Sequence, residues 1–206
     1  MKNFISLGGV TVYLTDEQTE KILDVVAGIR EARTQLNEVA VGEVFNVDGY
    51  EFVVLEHADN GTVAILKEPF PDESTFGENN DYRGSIPDTT CESFADALSA
   101  EVGADNIVSF EVDLTSDDGL KDYGVVTRRC SLLTMDQYRK YVQILDRYKP
   151  DAWWWLATAY STAAHDNTRW CKCVSPSGCI NDNYCGYFSR GVRPFLIFKS
   201  NIFVSK

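Results

Sequence analysis

Residues 153–194, WWWLATAYSTAAHDNTRWCKCVSPSGCINDNYCGYFSRGVRP, set a Trp triplet and an apolar C-terminal strand on either side of a run of small, polar and aromatic residues. Its ends read as β structure: 153–156, 170–174 and 192–198 are short, rich in aromatic and β-branched residues, and bounded by turn formers. The middle is compositionally unusual. Between 157 and 190 there is no Glu, Gln or Met and a single Lys, although the rest of the chain uses these residues freely. In their place stand Tyr160, His165, Asp166, Asn167, Arg169, Trp170, Asn181, Asp182, Asn183, Tyr184, Tyr187, Phe188 and Arg190, interspersed with Ser, Gly and Ala. Aromatic side chains give contact area at low entropy cost, and Ser, Gly and Asn give adaptable hydrogen bonding, so this is the composition of a binding surface.

Working back from that run, the chain mixes helices and strands without a regular βαβ rhythm, which predicts an α+β fold with small antiparallel sheets and two or three helices. A hairpin-like start carries Val10, Val12 and Leu14. Thr15 and Gln18 then form a capping-box pair, and Ile22, Val25, Val26, Ile29 and Leu36 recur at helical spacing, so residues 1–40 read as a hairpin and helix able to serve oligomerisation. Residues 41–206 read as the ligand-binding domain. Short β segments begin at Val41, and Asn60-Gly61 marks a hairpin because both residues accept positive φ. The stretch 68–88, with three prolines and many acids, reads as a long surface loop. Thr89 with Glu92 marks a second helix carrying Phe94, Leu98 and Val102 and stopped by Gly103. Thr134 with Gln137 marks a third, with Tyr138, Tyr141, Val142 and Leu145 facing inward.

Composition excludes some partners. Nineteen basic against 31 acidic residues give a net charge of −12, the wrong sign for a nucleic-acid backbone, whose affinity comes from Lys and Arg displacing counterions. No apolar stretch reaches the ~18 residues a membrane-spanning helix needs, and the N-terminus lacks a secretory leader, so a cytoplasmic or virion-associated protein is expected. Cys171, Cys173, Cys179 and Cys185 lie at spacings of one, five and five intervening residues, without the paired C-x-x-C knuckles of zinc ribbons. On a strand Cys171 and Cys173 share a face. His57 and His165 are the only histidines. Asp166 stands beside His165, but no nucleophile motif accompanies it. Asn181-Asp182-Asn183 lacks the spacing of a calcium loop. No catalytic residue, metal or cofactor is expected.

Val41 to Phe198 resembles a C-type-lectin-like domain family of gut bacteria and their phages, related in fold to formylglycine-generating enzymes. The resemblance rests on VAVGEVFNVDGYEFVVLE, on SFADAL, on CSLLTMDQYRKY, and above all on Trp154-Trp155-Leu156, a polar run with Arg169, a turn ending at Gly178, and Gly191-Val192-Arg193-Pro194. It implies a scaffold built from the Trp residues and the Val-Arg-Pro strand, with the polar run looped out between them to bind a protein or glycan. In related proteins that run is the target of diversity-generating retroelements, which mutate adenines. Asparagine-type codons can then yield Asn, Tyr, Asp, His, Ser, Cys, Thr, Arg, Gly, Phe and other residues, but not Lys, Glu, Gln, Met or Trp, so only Trp170 and Lys172 stand outside the pattern and the cysteines fall within it. Two departures are visible: Ala157-Thr158 replace the family's Arg-Ser, and the oxidases' Arg-Gly-Gly-Ser-Trp motif is missing. The alternative expectations are an acidic intracellular inhibitor working through 68–88 and, third, an oxidase of the formylglycine-generating kind.

Overall fold

The computed structural model describes residues 3–31, 33–188 and 190–206. Strands β1 (Asn3–Leu7) and β2 (Val10–Leu14) form a hairpin, followed by helix α1 (Asp16–Glu31) and strand β3 (Arg33–Gln35). The chain continues through β4 (Val44–Val47), β5 (Tyr50–Ala58), β6 (Gly61–Leu66), α2 (Ile86–Val102), β7 (Phe110–Asp113), β8 (Val125–Arg128), β9 (Cys130–Ser131) and α3 (Met135–Leu145). It ends with β10 (Trp154–Ala159), β11 (Trp170–Val174), β12 (Ile180–Tyr184), β13 (Phe195–Phe198) and β14 (Phe203–Ser205). The fold is α+β. Its main sheet has seven strands in the order β3-β14-β4-β5-β6-β13-β9, its second has three in the order β10-β11-β12, and β7 and β8 form a separate pair, all antiparallel.

The two capping boxes at α1 and α3 form. Thr15 Oγ1 accepts the Gln18 N–H at 3.2 Å while Gln18 Oε1 accepts the Thr15 N–H at 2.9 Å, and Thr134 and Gln137 repeat the exchange at 3.2 and 2.9 Å. Helix α2 starts earlier than Thr89 implies. Ser85 is its N-cap, accepting the Asp88 N–H at 3.2 Å with Pro87 in the first turn, and the Thr89 hydroxyl instead bonds back to the Ser85 carbonyl at 3.1 Å. Pro87 suits the first turn because its missing N–H has no partner there anyway. Two hairpins differ in chemistry from the sequence expectation. The positive-φ pair is Asp48-Gly49, at 51° and 81°, closing β4 on β5 with Val47 opposite Tyr50. At the second hairpin Asp59-Asn60 is the loop and Gly61 already pairs with Ala58. Glycine is needed there because a β-carbon would fall 2.3 Å from the Phe198 carbonyl oxygen of the neighbouring strand.

Residues 33–40 do not continue the N-terminal helix. Strand β3 pairs with β14, a 3-10 turn over Leu36–Glu38 follows it, and Leu36 and Val39 are fully buried in the main core, so Leu36 belongs to that core and not to the α1 stripe. On α1 itself Ile22, Leu23 and Val25 are exposed, as are Phe4, Val10, Val12 and Tyr13 of the hairpin. Val26 and Ile29 of that stripe lie outside the residues whose side chains are described.

Two apolar clusters sandwich the sheets. One joins Phe45, Phe52, Phe94 and Phe198 to Phe76, Tyr82, Trp155, Cys171 and Cys173. The other joins Val53, Ile65 and Phe195 to Trp154, Leu156, Val174 and the α3 residues Tyr138, Tyr141 and Leu145, with Val142 packed on it. The acidic stretch 68–88 is more than surface: Phe76, Asn80 and Tyr82 are fully buried.

Candidate recognition site

The frame around the polar run is anchored by hydrogen bonds that a sequence pattern does not reveal. Gly191 bridges Trp154 in parallel, with its N–H donated to the Trp153 carbonyl at 2.8 Å and its own carbonyl accepting the Trp155 N–H at 3.1 Å. Arg193 is 1% exposed and makes no ion pair among the described residues, with Glu68 acting on it only from a distance. Its Nε donates to the Leu66 carbonyl at 2.9 Å, its Nη2 donates to those of Lys67 and Tyr148 at 2.7 and 3.1 Å, and its guanidinium lies over Trp154 at 5.1 Å. Burial brings its pKa down to about 10, so it is still charged at neutral pH, held by carbonyl dipoles and a ring face. Pro194 passes its carbonyl to Leu66 N–H at 2.8 Å, and the Gly178 carbonyl accepts the Tyr138 hydroxyl at 2.6 Å. Thr158 is buried, and its Oγ1 accepts the Met135 N–H at 2.8 Å in the first turn of α3.

Within the run, alternation along β11 and β12 decides what is displayed. Cys171 faces Asn183 and Cys173 faces Asn181 in register, and Cys171, Cys173, Asn183 and Cys185 are buried. Burial pushes the Cys171 thiol well up, and that of Cys173 up as well, so neither is a ready thiolate. Cys179 is exposed, and all six cysteines are free. Asn183 and the core cysteines are therefore packing residues. Substitution at Cys171, Cys173 or Cys185 would disturb a close-packed interior. Among the described residues no three His, Cys, Asp or Glu side chains converge as a metal site would need.

The opposite face carries the pairs Trp170–Tyr184, Lys172–Asp182 and Val174–Ile180. Its Val174 end is covered by α3, and its Trp170 end is open. There Tyr160, at 41% exposure, donates its N–H to the Trp170 carbonyl at 2.9 Å, and Trp170 is 43% exposed. Trp170 and Tyr184 meet edge to face at 6.4 Å, and Tyr184 and Tyr187 at 6.0 Å. Tyr187 and Phe188 are the most exposed aromatics of the run. Lys172, which the sequence singled out only as an exception, is the hub of this face. It is 7% exposed, its Nζ lies 2.5 Å from Asp117 and 2.6 Å from Asp182, and it sits 5.1 Å from the Tyr160 ring centroid. Burial alone would depress the ammonium pKa, but the hydrogen bonds to the two carboxylates outweigh it and raise it.

The loop between β10 and β11 is braced by Asn80, which lies 80 residues upstream in sequence terms yet sits at its centre. Its fully buried amide donates to the carbonyls of Ser161 at 3.0 Å, Asn167 at 3.3 Å and Trp170 at 3.0 Å, and its oxygen accepts the Tyr123 hydroxyl at 2.6 Å. The Asn80 N–H also reaches Thr168 at 2.8 Å, while Phe76 and Ser74 donate to Cys185 and Arg190 at 2.8 and 2.9 Å. The acidic stretch is thus the inner brace of the run, and two of its acids are internally paired, Asp81 with Arg83 and Asp88 with Arg128.

His165 is exposed, with Nδ1 2.9 Å from Asp118, and Asp166 takes a left-handed φ of 53° behind it. Asp118 also accepts the Ser116 and Ser161 hydroxyls, which hold its carboxyl far below the usual range, with His165 adding to the effect. Ser161 and His165 share one acceptor and are not donor and base to each other, so the trio is a tether and not a nucleophile relay. Arg169 bonds to the Glu78 carbonyl and the Tyr184 hydroxyl, both at 3.2 Å, and Arg190 lies 4.4 Å from the Trp153 ring centroid. Asn181, with its amide at 3.1 Å from the Cys179 carbonyl, is exposed at the β12 start.

The site residues therefore separate. Tyr160, Asn167, Trp170, Asp182, Tyr184 and Tyr187 gather on or beside one open face, while Asn183 points inward. Sequence reasoning missed Asn80, Asp117, Asp118 and Lys172 as organisers. Only Lys172 left a signal, as the single Lys of the run. No helix among the described residues is long and apolar enough to cross a membrane. No family model, curated protein or solved structure matches this chain.

Proposed function

We propose that the chain is a non-enzymatic ligand-binding protein of a phage or mobile element that recognises a bacterial surface protein or glycan through the open end of the β10–β11–β12 face. One observation carries the reading. Beyond residue 33 the exposed aromatics are Tyr50, Phe203 and, on this one stretch, Tyr160, Trp170, Tyr187 and Phe188. They stand over strands whose inner face is locked into the core. Large aromatics held on a rigid support and interleaved with Asn, Asp and His are what a recognition surface needs. The reading takes its further colour from the likeness to C-type-lectin-like variable proteins: diversification would fall on Tyr160, His165, Asp166, Asn167, Asp182, Tyr184, Tyr187 and Phe188, with Trp170 and Lys172 as fixed centre and Cys171, Cys173, Asn183 and Cys185 as fixed support. The exposed apolar side chains of the hairpin and α1 support self-association, which would multiply a weak single site.

Two experiments test this. Fluorescently labelled protein is adsorbed to a panel of intact bacterial cells, with a Tyr160→Ser/Tyr184→Ser double variant beside it. Adsorption that is unchanged in the variant removes the face from recognition. The DNA flanking the gene is then searched for a reverse transcriptase and a near-repeat of codons 157–190. Differences at adenines confined to the exposed positions support diversification, and differences at the codons for Cys171, Cys173 or Asn183 count against it.

A further inference from the structure

Four residues of the open face, Tyr160, Asn167, Trp170 and Asp182, line a shallow recess of about 270 Å³. We infer that this recess binds one uncharged pyranose ring, the terminal or side-branch residue of a neutral polysaccharide, an inference that rests on the recognition role proposed for the face. The walls are Tyr160 and Trp170, two flat rings well over a third exposed, and the C–H faces of a sugar ring stack on such surfaces while its hydroxyls stay polar. Asn167 contributes an amide that can both donate and accept, and Asp182 a carboxylate that only accepts. Adjacent hydroxyls of a pyranose supply the matching pair of donors and acceptors.

Charge decides against the rivals. Lys172 is the cation held against Asp182, but it is buried beneath the face and is not among the lining residues, and neither is Arg169, whose guanidinium bonds the Tyr184 hydroxyl and the Glu78 carbonyl. The Lys172 charge is already engaged by Asp117 and Asp182 at 2.5 and 2.6 Å. An anionic ligand such as a phosphate, uronate or sialate would therefore meet the oxygens of Asp182 with no cation among the lining residues to offset them. A cationic side chain of a protein partner would have to compete with Lys172 for Asp182. A neutral hydroxyl pair needs neither change, because the Lys172 ion pair fixes the Asp182 carboxylate in place while leaving its other lone pairs to accept. Size points the same way. The volume falls just under the ~300–1,000 Å³ of drug-sized ligand sites, enough for one ring and too little for a folded peptide segment.

The test is saturation-transfer NMR on the full chain with the methyl glycosides of glucose, galactose, mannose, fucose, rhamnose, N-acetylglucosamine and N-acetylgalactosamine, and with glucuronate and sialate as charged controls. At least one neutral glycoside is expected to receive saturation on its ring C–H protons, with a dissociation constant on the order of 1 mM, as small, half-open sites allow. Trp170→Ala should abolish the transfer and Trp170→Tyr should restore part of it. Asp182→Asn should weaken binding about tenfold, the loss expected when a charged hydrogen-bond acceptor is made neutral. The fold of each variant is checked by circular dichroism, and iodide quenching follows Trp170, the most exposed of the four Trp residues. Silence across the neutral panel, or transfer that survives Trp170→Ala in a folded protein, overturns the sugar recess. If the panel is silent but cell adsorption still depends on Tyr160 and Tyr184 and is removed by protease, the face recognises protein: the sugar inference falls and the recognition role stands. If cell adsorption is also indifferent to those residues, both fall.

Discussion

Replacing Asn80 with Ala removes the fully buried side chain that holds three backbone carbonyls of the β10–β11 region against the body. Its amide makes three bonds, to the carbonyls of Ser161, Asn167 and Trp170 at 3.0, 3.3 and 3.0 Å, and its oxygen accepts one from Tyr123 at 2.6 Å. The NH2 group has two hydrogens, so the longer contact to Asn167 is shared; at about 1 kcal/mol net for each full bond, the Tyr123 bond included, the loss is about 3–4 kcal/mol, a large share of the ~5–15 kcal/mol that holds a domain folded. The cost is capped if the loop can open locally and let water reach the three carbonyls. The assay therefore has two parts: urea unfolding followed by circular dichroism, and hydrogen exchange of the Asn167 and Tyr160 amides, which are bonded to Thr162 and Trp170 at 3.1 and 2.9 Å. A drop of about 3–4 kcal/mol is expected, or a smaller global drop with those two amides exchanging faster than the rest of the sheet. Asn80→Asp sharpens the test. The introduced carboxyl faces three carbonyl oxygens in a buried place, so its folded pKa is raised above the unfolded ~4. That variant is most stable below pH 4 and weakens as pH rises through the folded value. A global change under about 1 kcal/mol in Asn80→Ala with exchange unaltered refutes the bracing role.

Arg193→Ala should cost about 3 kcal/mol or more in chemical denaturation, through lost carbonyl bonds and lost stacking on Trp154, and Arg193→Lys should recover only part, since an ammonium cannot reach three carbonyls in one plane. Titration with a chromogenic disulfide reagent should find one fast thiol, Cys179, and five that react only on unfolding, because those five are buried; two or more fast thiols refute this packing. Asp118 is held below its ordinary pKa by Ser116 and Ser161, so it contributes stability above about pH 4 that is lost as pH falls. In an acid titration Asp118→Asn should flatten that step and leave the neutral baseline lower. Tyr123 and Tyr141 are each pushed up to about 12, mainly by burial. Spectrophotometric titration should therefore show their ionisation lagging the exposed tyrosines, with Tyr123→Phe and Tyr141→Phe each removing one late step.

Much of the scaffold was legible because it is encoded locally. Thr15–Gln18 and Thr134–Gln137 each form a reciprocal bond within four residues, so the signature and the structure are the same fact. Thr89–Glu92 has the same spelling and fails, because Ser85 and Pro87 offer an equally local start one turn earlier and the Tyr82–Ser85 turn leads into it. Asn60-Gly61 marked a true hairpin for a partly wrong reason: Gly61 is there for the Phe198 carbonyl across the sheet, a contact between residues far apart in sequence.

The candidate site divides along the same line. The amino-acid sequence by itself determined that 157–190 is short of long flexible side chains, rich in aromatics and bounded by strands, since composition and alternation need no partner to be visible. Only the tertiary structure decided which of those residues reach the surface. The register of β11 on β12 turns Cys171, Cys173 and Asn183 inward and puts Trp170, Lys172, Asp182 and Tyr184 on the outer face, where Lys172 is buried under its ion pairs and α3 covers the Val174 end. The acidic stretch that looked like solvent-exposed loop became the brace of the site for the same reason. Hydrogen bonds from Asn80 to carbonyls some 80 to 90 residues away depend on where the backbone passes, and a carbonyl group is identical in every residue.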